Sequence, residues 1–82
     1  MVYVDSMHAP FGRMTMCHMV ADSLAELHTM ADAIGIARRW FQDKPSMPHY
    51  DICLSKRALA VKKGAIEIGW RDTPGIARRT LS

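Results

Sequence analysis

The chain has 82 residues, 49% of them hydrophobic and 23% charged, with a formal net charge of +3. That length allows one small domain with a thin margin of buried surface, and the composition excludes a disordered chain. Two cysteines exclude a disulfide framework, and no apolar run reaches the length of a membrane span.

Val2-Tyr3-Val4, β-branched and aromatic, predicts a first strand ending at Asp5, and Pro10 and Gly12 predict a loop over 6–12. Met14 to Val20 alternates with both faces mostly apolar, which predicts a strand covered on both sides or in a dimer. Ser23-Leu24-Ala25-Glu26 is a capping box, with Glu26 expected to reach the Ser23 amide. Leu24, Leu27, Met30, Ala31 and Ile34 then fall on one helical face, stopped by Gly35. Ile36 to Gln42 reads as a strand with Arg38 and Trp40 opposite Arg39 and Phe41. Pro45 and Pro48 mark a loop. Ser55 is the expected cap of a second helix running to Lys63 and stopped by Gly64, with Leu54, Ala58, Leu59 and Val61 inward. Ala65 to Trp70 alternates as a half-buried last strand. The order β-β-α-β-α-β predicts an α+β fold, a small two-layer α/β sandwich. Residues 1–70 form the domain, and 71–82 a loose basic tail. Gly35-Ile36-Ala37-Arg38-Arg39 recurs as Gly75-Ile76-Ala77-Arg78-Arg79. The flanks do not match, so a solenoid is excluded. Coincidence is the expectation, with a tail that pairs with or mimics the third strand as the alternative.

The charge favours an anionic partner without demanding nucleic acid. Seven methionines against six aromatic residues predict a loosely specified core, for which homo-oligomerisation is a natural remedy. The N-terminal segment lacks the pattern of a signal peptide, and both thiols are read as reduced, which gives a cytoplasmic setting.

Ser55-Lys56-Arg57 gathers a hydroxyl, first-turn amides and two cations at the positive end of a helix, where phosphate and carboxylate are held. Cations at that end are locally unfavourable, which is a reason to expect an anion there. His49 and Asp51, two apart on extended backbone, point the same way, with Tyr50 opposite. The plainer reading is a solvated loop and an ordinary helix start. Arg38-Arg39-Trp40-Phe41-Gln42 offers guanidinium and indole groups for a base and its phosphate. Its plainer reading puts Phe41 in the core and Trp40 half-buried under an arginine.

Spacing argues against a metal among His8, Cys17, His18, His28, His49 and Cys53. Adjacent strand residues face apart, and no Cys-x-x-Cys or His-x-x-x-His pair exists. For catalysis, Asp5, Asp22 and Asp51 are candidates to converge at strand ends, with His18 or His49 as general base and Lys56 stabilising charge. No triad or carboxylate pair is legible, and no catalytic residue is assigned. A lone buried histidine such as His18 is more often a hydrogen-bonded core residue.

Met1 to Asp5, Gly12-Arg13-Met14 with Cys17-His18-Met19, Glu26-Leu27-His28, Arg39-Trp40-Phe41-Gln42 and His49-Tyr50-Asp51 through Ser55-Lys56-Arg57-Ala58 together resemble a small uncharacterised family. It is the domain of unknown function numbered 4031. The likeness runs to Trp70 and implies a bacterial or bacteriophage setting, but no activity and no cofactor. In general character the chain also resembles small phage proteins that sequester host nucleotide signals.

The resulting expectation is a non-catalytic binding module for a phosphate-bearing, nucleotide-like small molecule. Ser55, Lys56 and Arg57 hold the anion, His49 and Asp51 flank it, and Arg39, Trp40 and Gln42 read the base. One rival is a nucleic-acid accessory that also uses Lys62, Lys63, Arg78 and Arg79. The other is a protein-interaction module acting on a host factor. No metal and no membrane partner are expected.

Overall fold

The structure, a computed structural model, describes residues 1–7, 9–11, 14–45 and 47–78, with 9–11 followed as backbone alone. The expectations that involve His8, Gly12 and Arg79 lie outside the described residues.

The fold is α+β. Strand β1 (Val2–Val4) pairs antiparallel with the long strand β3 (Met14–Ala21), placing Val2 opposite Ala21 and Val4 opposite Met19. Strand β5 (His49–Cys53) lies antiparallel on the other side of β3, and β4 (Phe41–Gln42) pairs with the first half of β5. Strand β6 (Ile66–Glu67) joins β1 in parallel, and β2 (Ala9–Phe11) pairs with the start of β3. The sheet therefore runs β4-β5-β3-β1-β6, with β2 attached to β3.

Helix α1 (Leu24–Ala33) starts where its sequence signals place it. Ser23 Oγ accepts from the Glu26 amide, and Gly35 takes φ +81° beyond the last turn. The Glu26 carboxylate accepts from the Ser23 hydroxyl and the Met1 ammonium rather than from the Ser23 amide. Helix α2 is Leu54–Lys62, and Gly64 stops it at φ +109°. Helix α3 (Thr73–Ala77) follows a 3-10 turn at Trp70–Asp72.

Side-chain alternation makes β3 contribute to two cores. Cys17, Met19 and Ala21 face α1 and α2, packed with Val2, Val4, Leu27, Ala31, Tyr50, Ile52 and Ala60. Val20 faces the other way, under Ile76 and Ala77 of α3. Each fully buried Met19, Leu27 or Ile52 contributes on the order of 1.5–3 kcal/mol by leaving water.

Six expectations are corrected. Residues 6–12 are not all loop, because β2 lies within them; a strand edge tolerates Pro10. The stretch 36–42 is a 3-10 turn at Arg38–Trp40 followed by two strand residues, because Arg38 reaches back to Asp32 at 2.9 Å and bends the chain. Ala60 is the buried residue of α2, while Leu54, Ala58 and Leu59 are exposed. Leu24 likewise sits exposed in the first turn of α1. The last strand shrinks to Ile66–Glu67, with both residues exposed and Ala65 and Ile68 turned inward. Finally, the stretch after Trp70 is no loose tail. Thr73, Ile76 and Ala77 are buried, and α3 adds a partial third layer. The two Gly-Ile-Ala-Arg sequences thus differ in structure, one entering a 3-10 turn and the other ending a helix.

Candidate functional site

Strand register creates a polar row across the sheet. Asp51 on β5 stands opposite His18 on β3, and the Asp5 amide donates to the His18 carbonyl (3.0 Å), continuing the β1–β3 ladder. Residues opposite one another share a face, so Asp5, His18 and Asp51 project together, joined by His49 two residues before Asp51. This is the α3 face.

Asp5 anchors the row. Its fully buried carboxylate accepts from the His18 ring Nδ1 (2.8 Å), the His18 amide (2.8 Å), the Thr73 hydroxyl (2.8 Å) and the Met7 amide (3.2 Å). Burial alone raises the pKa of such a carboxyl. Here the bonds from His18 and Thr73 outweigh burial and hold it below its usual value. The same bond from Asp5 raises the pKa of His18 against the opposing effect of desolvation. His49 is buried, and its Nδ1 meets the Met47 carbonyl at 2.7 Å. That oxygen only accepts, so Nδ1 carries the hydrogen. The other ring nitrogen, Nε2, lies 3.2 Å from Asp51 Oδ1, and His18 Nε2 lies 3.8 Å from the same oxygen. The two rings meet edge to face at 5.0 Å between centroids.

Beside this row runs a groove of about 780 Å³. Strand β4 pairs only with His49 and Tyr50, so the groove follows the part of β5 that β4 leaves uncovered. Arg39, Trp40, Gln42, Gly35, Lys56, His18 and Asp51 line it. Met7, Met16 and Ile52 supply apolar surface. The Arg39 guanidinium lies 5.4 Å from the Trp40 ring centroid, and the indole is 58% exposed.

The groove therefore brings together five of the expected ligand residues: Arg39, Trp40, Gln42, Asp51 and Lys56. His49 lies behind them, in contact with Asp51. Ser55 and Arg57 do not line it. The cap of α2 is Cys53, not Ser55. The Cys53 thiol sits 3.2 Å from the Ser55 hydroxyl, and that contact with the Lys56 and Ser55 amides holds it below its usual pKa. The two cations also have protein partners. Arg57 donates to the Asp5 carbonyl (2.9 Å) and to Glu67 (2.7 Å). Lys56 donates to the Ile34 carbonyl (2.8 Å), at the negative end of α1. Their position at the start of α2 thus serves neighbouring carbonyls, and among the described residues the Ile34 carbonyl takes one of the three Lys56 donors.

Asp22 does not join the row; it accepts from the Tyr3 hydroxyl at 3.1 Å. His28 bonds Tyr50 at 2.7 Å and packs on Phe41, which is a structural role. Sequence spacing missed that His18, His49 and Asp51 meet, because the meeting depends on the pairing of β3 with β5 rather than on neighbours along the chain. Among the described residues, no helix is long and apolar enough to cross a membrane.

No curated protein and no solved structure matches the chain. A family model described as a protein of unknown function, DUF4031, matches residues 2–80, past Trp70 and through α3. The chain belongs to the DUF4031 family.

Proposed function

We propose that the protein is a non-catalytic binding module for a phosphate-bearing, nucleotide-like small molecule, held in the groove beside β5. The observation that carries this is the meeting of an exposed indole, two cations and a carboxamide on one concavity large enough for such a ligand. Trp40 offers a π face for a base, and Gln42 a donor and an acceptor for its edge. Arg39 and the remaining donors of Lys56 stand where phosphate oxygens would lie. The methionine and isoleucine surface accommodates the rest of the ring system. This reading moves the anion from the first turn of α2 to the groove that Lys56 shares with Arg39. The formal net charge of +3 acts in the same direction.

Thermal unfolding against a panel of mono-, di- and cyclic nucleotides is the test, run in excess chelator. A ligand at 100 times its dissociation constant stabilises the native state by about 2.7 kcal/mol, a shift easily resolved for so small a domain. In a Trp70→Phe background, the same ligand quenches the fluorescence of Trp40. Trp40→Ala and Lys56→Ala weaken binding, whereas Arg57→Ala does not once the loss of fold stability is allowed for. If no nucleotide shifts the transition, or if binding survives both Trp40→Ala and Lys56→Ala, the reading is wrong.

A further inference from the structure

We propose that His18, His49 and Asp51 form a site for one divalent transition-metal ion, a site independent of the ligand reading above. One ring nitrogen of each histidine and a carboxylate oxygen of Asp51 all lie within 4.8 Å of one another. Metal–ligand bonds of about 2.0–2.2 Å place two donors on one ion roughly 3 Å apart. The His49–Asp51 separation of 3.2 Å already fits, and the 3.8 Å from His18 closes by a small swing of the exposed Asp51 side chain.

The outer groups orient both rings for this purpose. Met47 fixes the hydrogen of His49 on Nδ1, and Asp5 fixes that of His18 on Nδ1. In each neutral ring the lone pair then belongs to Nε2, on the side of Asp51. With both rings neutral, each Nε2 lone pair lies within 3.8 Å of the Asp51 carboxylate, an arrangement that a cation resolves. A carboxylate or a backbone carbonyl behind each ligating histidine is the usual support of metal sites. Two imidazoles and one carboxylate suit Zn²⁺ or Fe²⁺ better than the oxygen-seeking Mg²⁺ or Ca²⁺. Because His18 and Asp51 line the groove, the remaining coordination positions open towards it.

The experiment titrates the chelator-stripped, reduced, full-length chain with Zn²⁺, and separately with Co²⁺, in the absence of nucleotide. We expect one equivalent per chain, a rise in the unfolding temperature and a cobalt spectrum of nitrogen and oxygen ligands without a thiolate charge-transfer band. Asp51→Asn, at an exposed position that leaves the fold intact, lowers Zn²⁺ affinity by at least about tenfold. His49→Gln abolishes uptake, and Cys53→Ser leaves it unchanged. Absence of saturable uptake, unaltered affinity in Asp51→Asn, or loss of uptake in Cys53→Ser overturns the proposal. Nucleotide binding is read in chelator, so either reading can fail while the other stands.

Discussion

Replacing Asp5 by Asn is nearly isosteric, yet it reverses the hydrogen-bond polarity at the centre of the sheet. The Oδ1 position accepts from two backbone amides, those of His18 and Met7, which cannot change role. The amide oxygen of Asn must therefore sit there, and its NH₂ must face the Thr73 hydroxyl and His18 Nδ1, both of which donate in the native protein. Thr73 can turn its hydroxyl and accept. His18 can accept at Nδ1 only by moving its hydrogen to Nε2. All four bonds lose their ionised acceptor, and the two at Oδ2 also reverse direction; a loss of about 1 kcal/mol for each reversed bond makes the variant about 2 kcal/mol less stable. Against the roughly 4–12 kcal/mol expected for 82 residues this is a large fraction. It corresponds to a fall of about 8–16 °C in the unfolding temperature. The tautomer change also removes the Nε2 lone pair, so Zn²⁺ affinity falls by about 10–100-fold although no proposed ligand was touched. Circular dichroism melts with and without Zn²⁺ read both effects. A variant that melts within ~2 °C of the native chain and gains the same stabilisation from Zn²⁺ refutes the reasoning.

Arg57→Ala removes the donor to the Asp5 carbonyl and costs about 1.5–3 kcal/mol in chemical denaturation, with nucleotide affinity of the folded protein unchanged. Gly35→Ala forces a side chain into φ +81° with its Cβ 3.2 Å from Lys56 Nζ. It destabilises by about 1 kcal/mol and weakens nucleotide binding by displacing that ammonium, both visible in one ligand-titrated melt. Burial pushes the Cys17 thiol up to about 11 while Cys53 is held low. Alkylation at neutral pH therefore labels one thiol in the native chain, Cys53, and two after unfolding, as mass spectrometry will show. Thr73→Val takes one donor from Asp5 and costs about 1–2 kcal/mol. In a double-mutant cycle with Asp5→Asn the two effects fail to add, by about 0.5 kcal/mol or more, because both act on one oxygen.

Local signals made α1 legible: a serine cap, an apolar stripe at helical spacing and a glycine at positive φ. The shared face of His49 and Asp51 was legible too, since alternation along one strand needs no partner. What stayed hidden was tertiary. Asp5 and Asp51 flank His18 only in the register that β1 and β5 adopt against β3, and no pattern along the chain encodes it. Arg38 pairs with Asp32 instead of extending a strand, so the predicted strand at 36–42 became a bend that presents Arg39 and Trp40 side by side. Residues 71–82 read as a loose tail, yet Pro74 is well placed in a first helical turn, and the helix gains its stability from Ile76 and Ala77 under Val20. The cations at the start of α2 are locally unfavourable there, and the carbonyl partner that each has lies far away in sequence.

The polar row has no simple explanation in stability. On the same face of β3, two residues beyond His18, Val20 is fully buried under α3, so this face can be built from apolar side chains. Polar groups there must be desolvated, and replacing a satisfied buried cluster by packed hydrophobic residues is often neutral or stabilising. Instead the chain buries Asp5, gives it four donors, aims His18 from it and holds His49 from a backbone carbonyl. The outcome is an imidazole and a carboxylate at the groove, with a second imidazole behind them. The outer partners fix ring orientation to within a hydrogen bond, a constraint that packing alone does not require and that coordination does. The clamp from Thr73 extends the same logic to the C-terminal helix. A segment that looked dispensable in sequence closes over Asp5, so removing α3 should abolish the metal site as well as expose Val20.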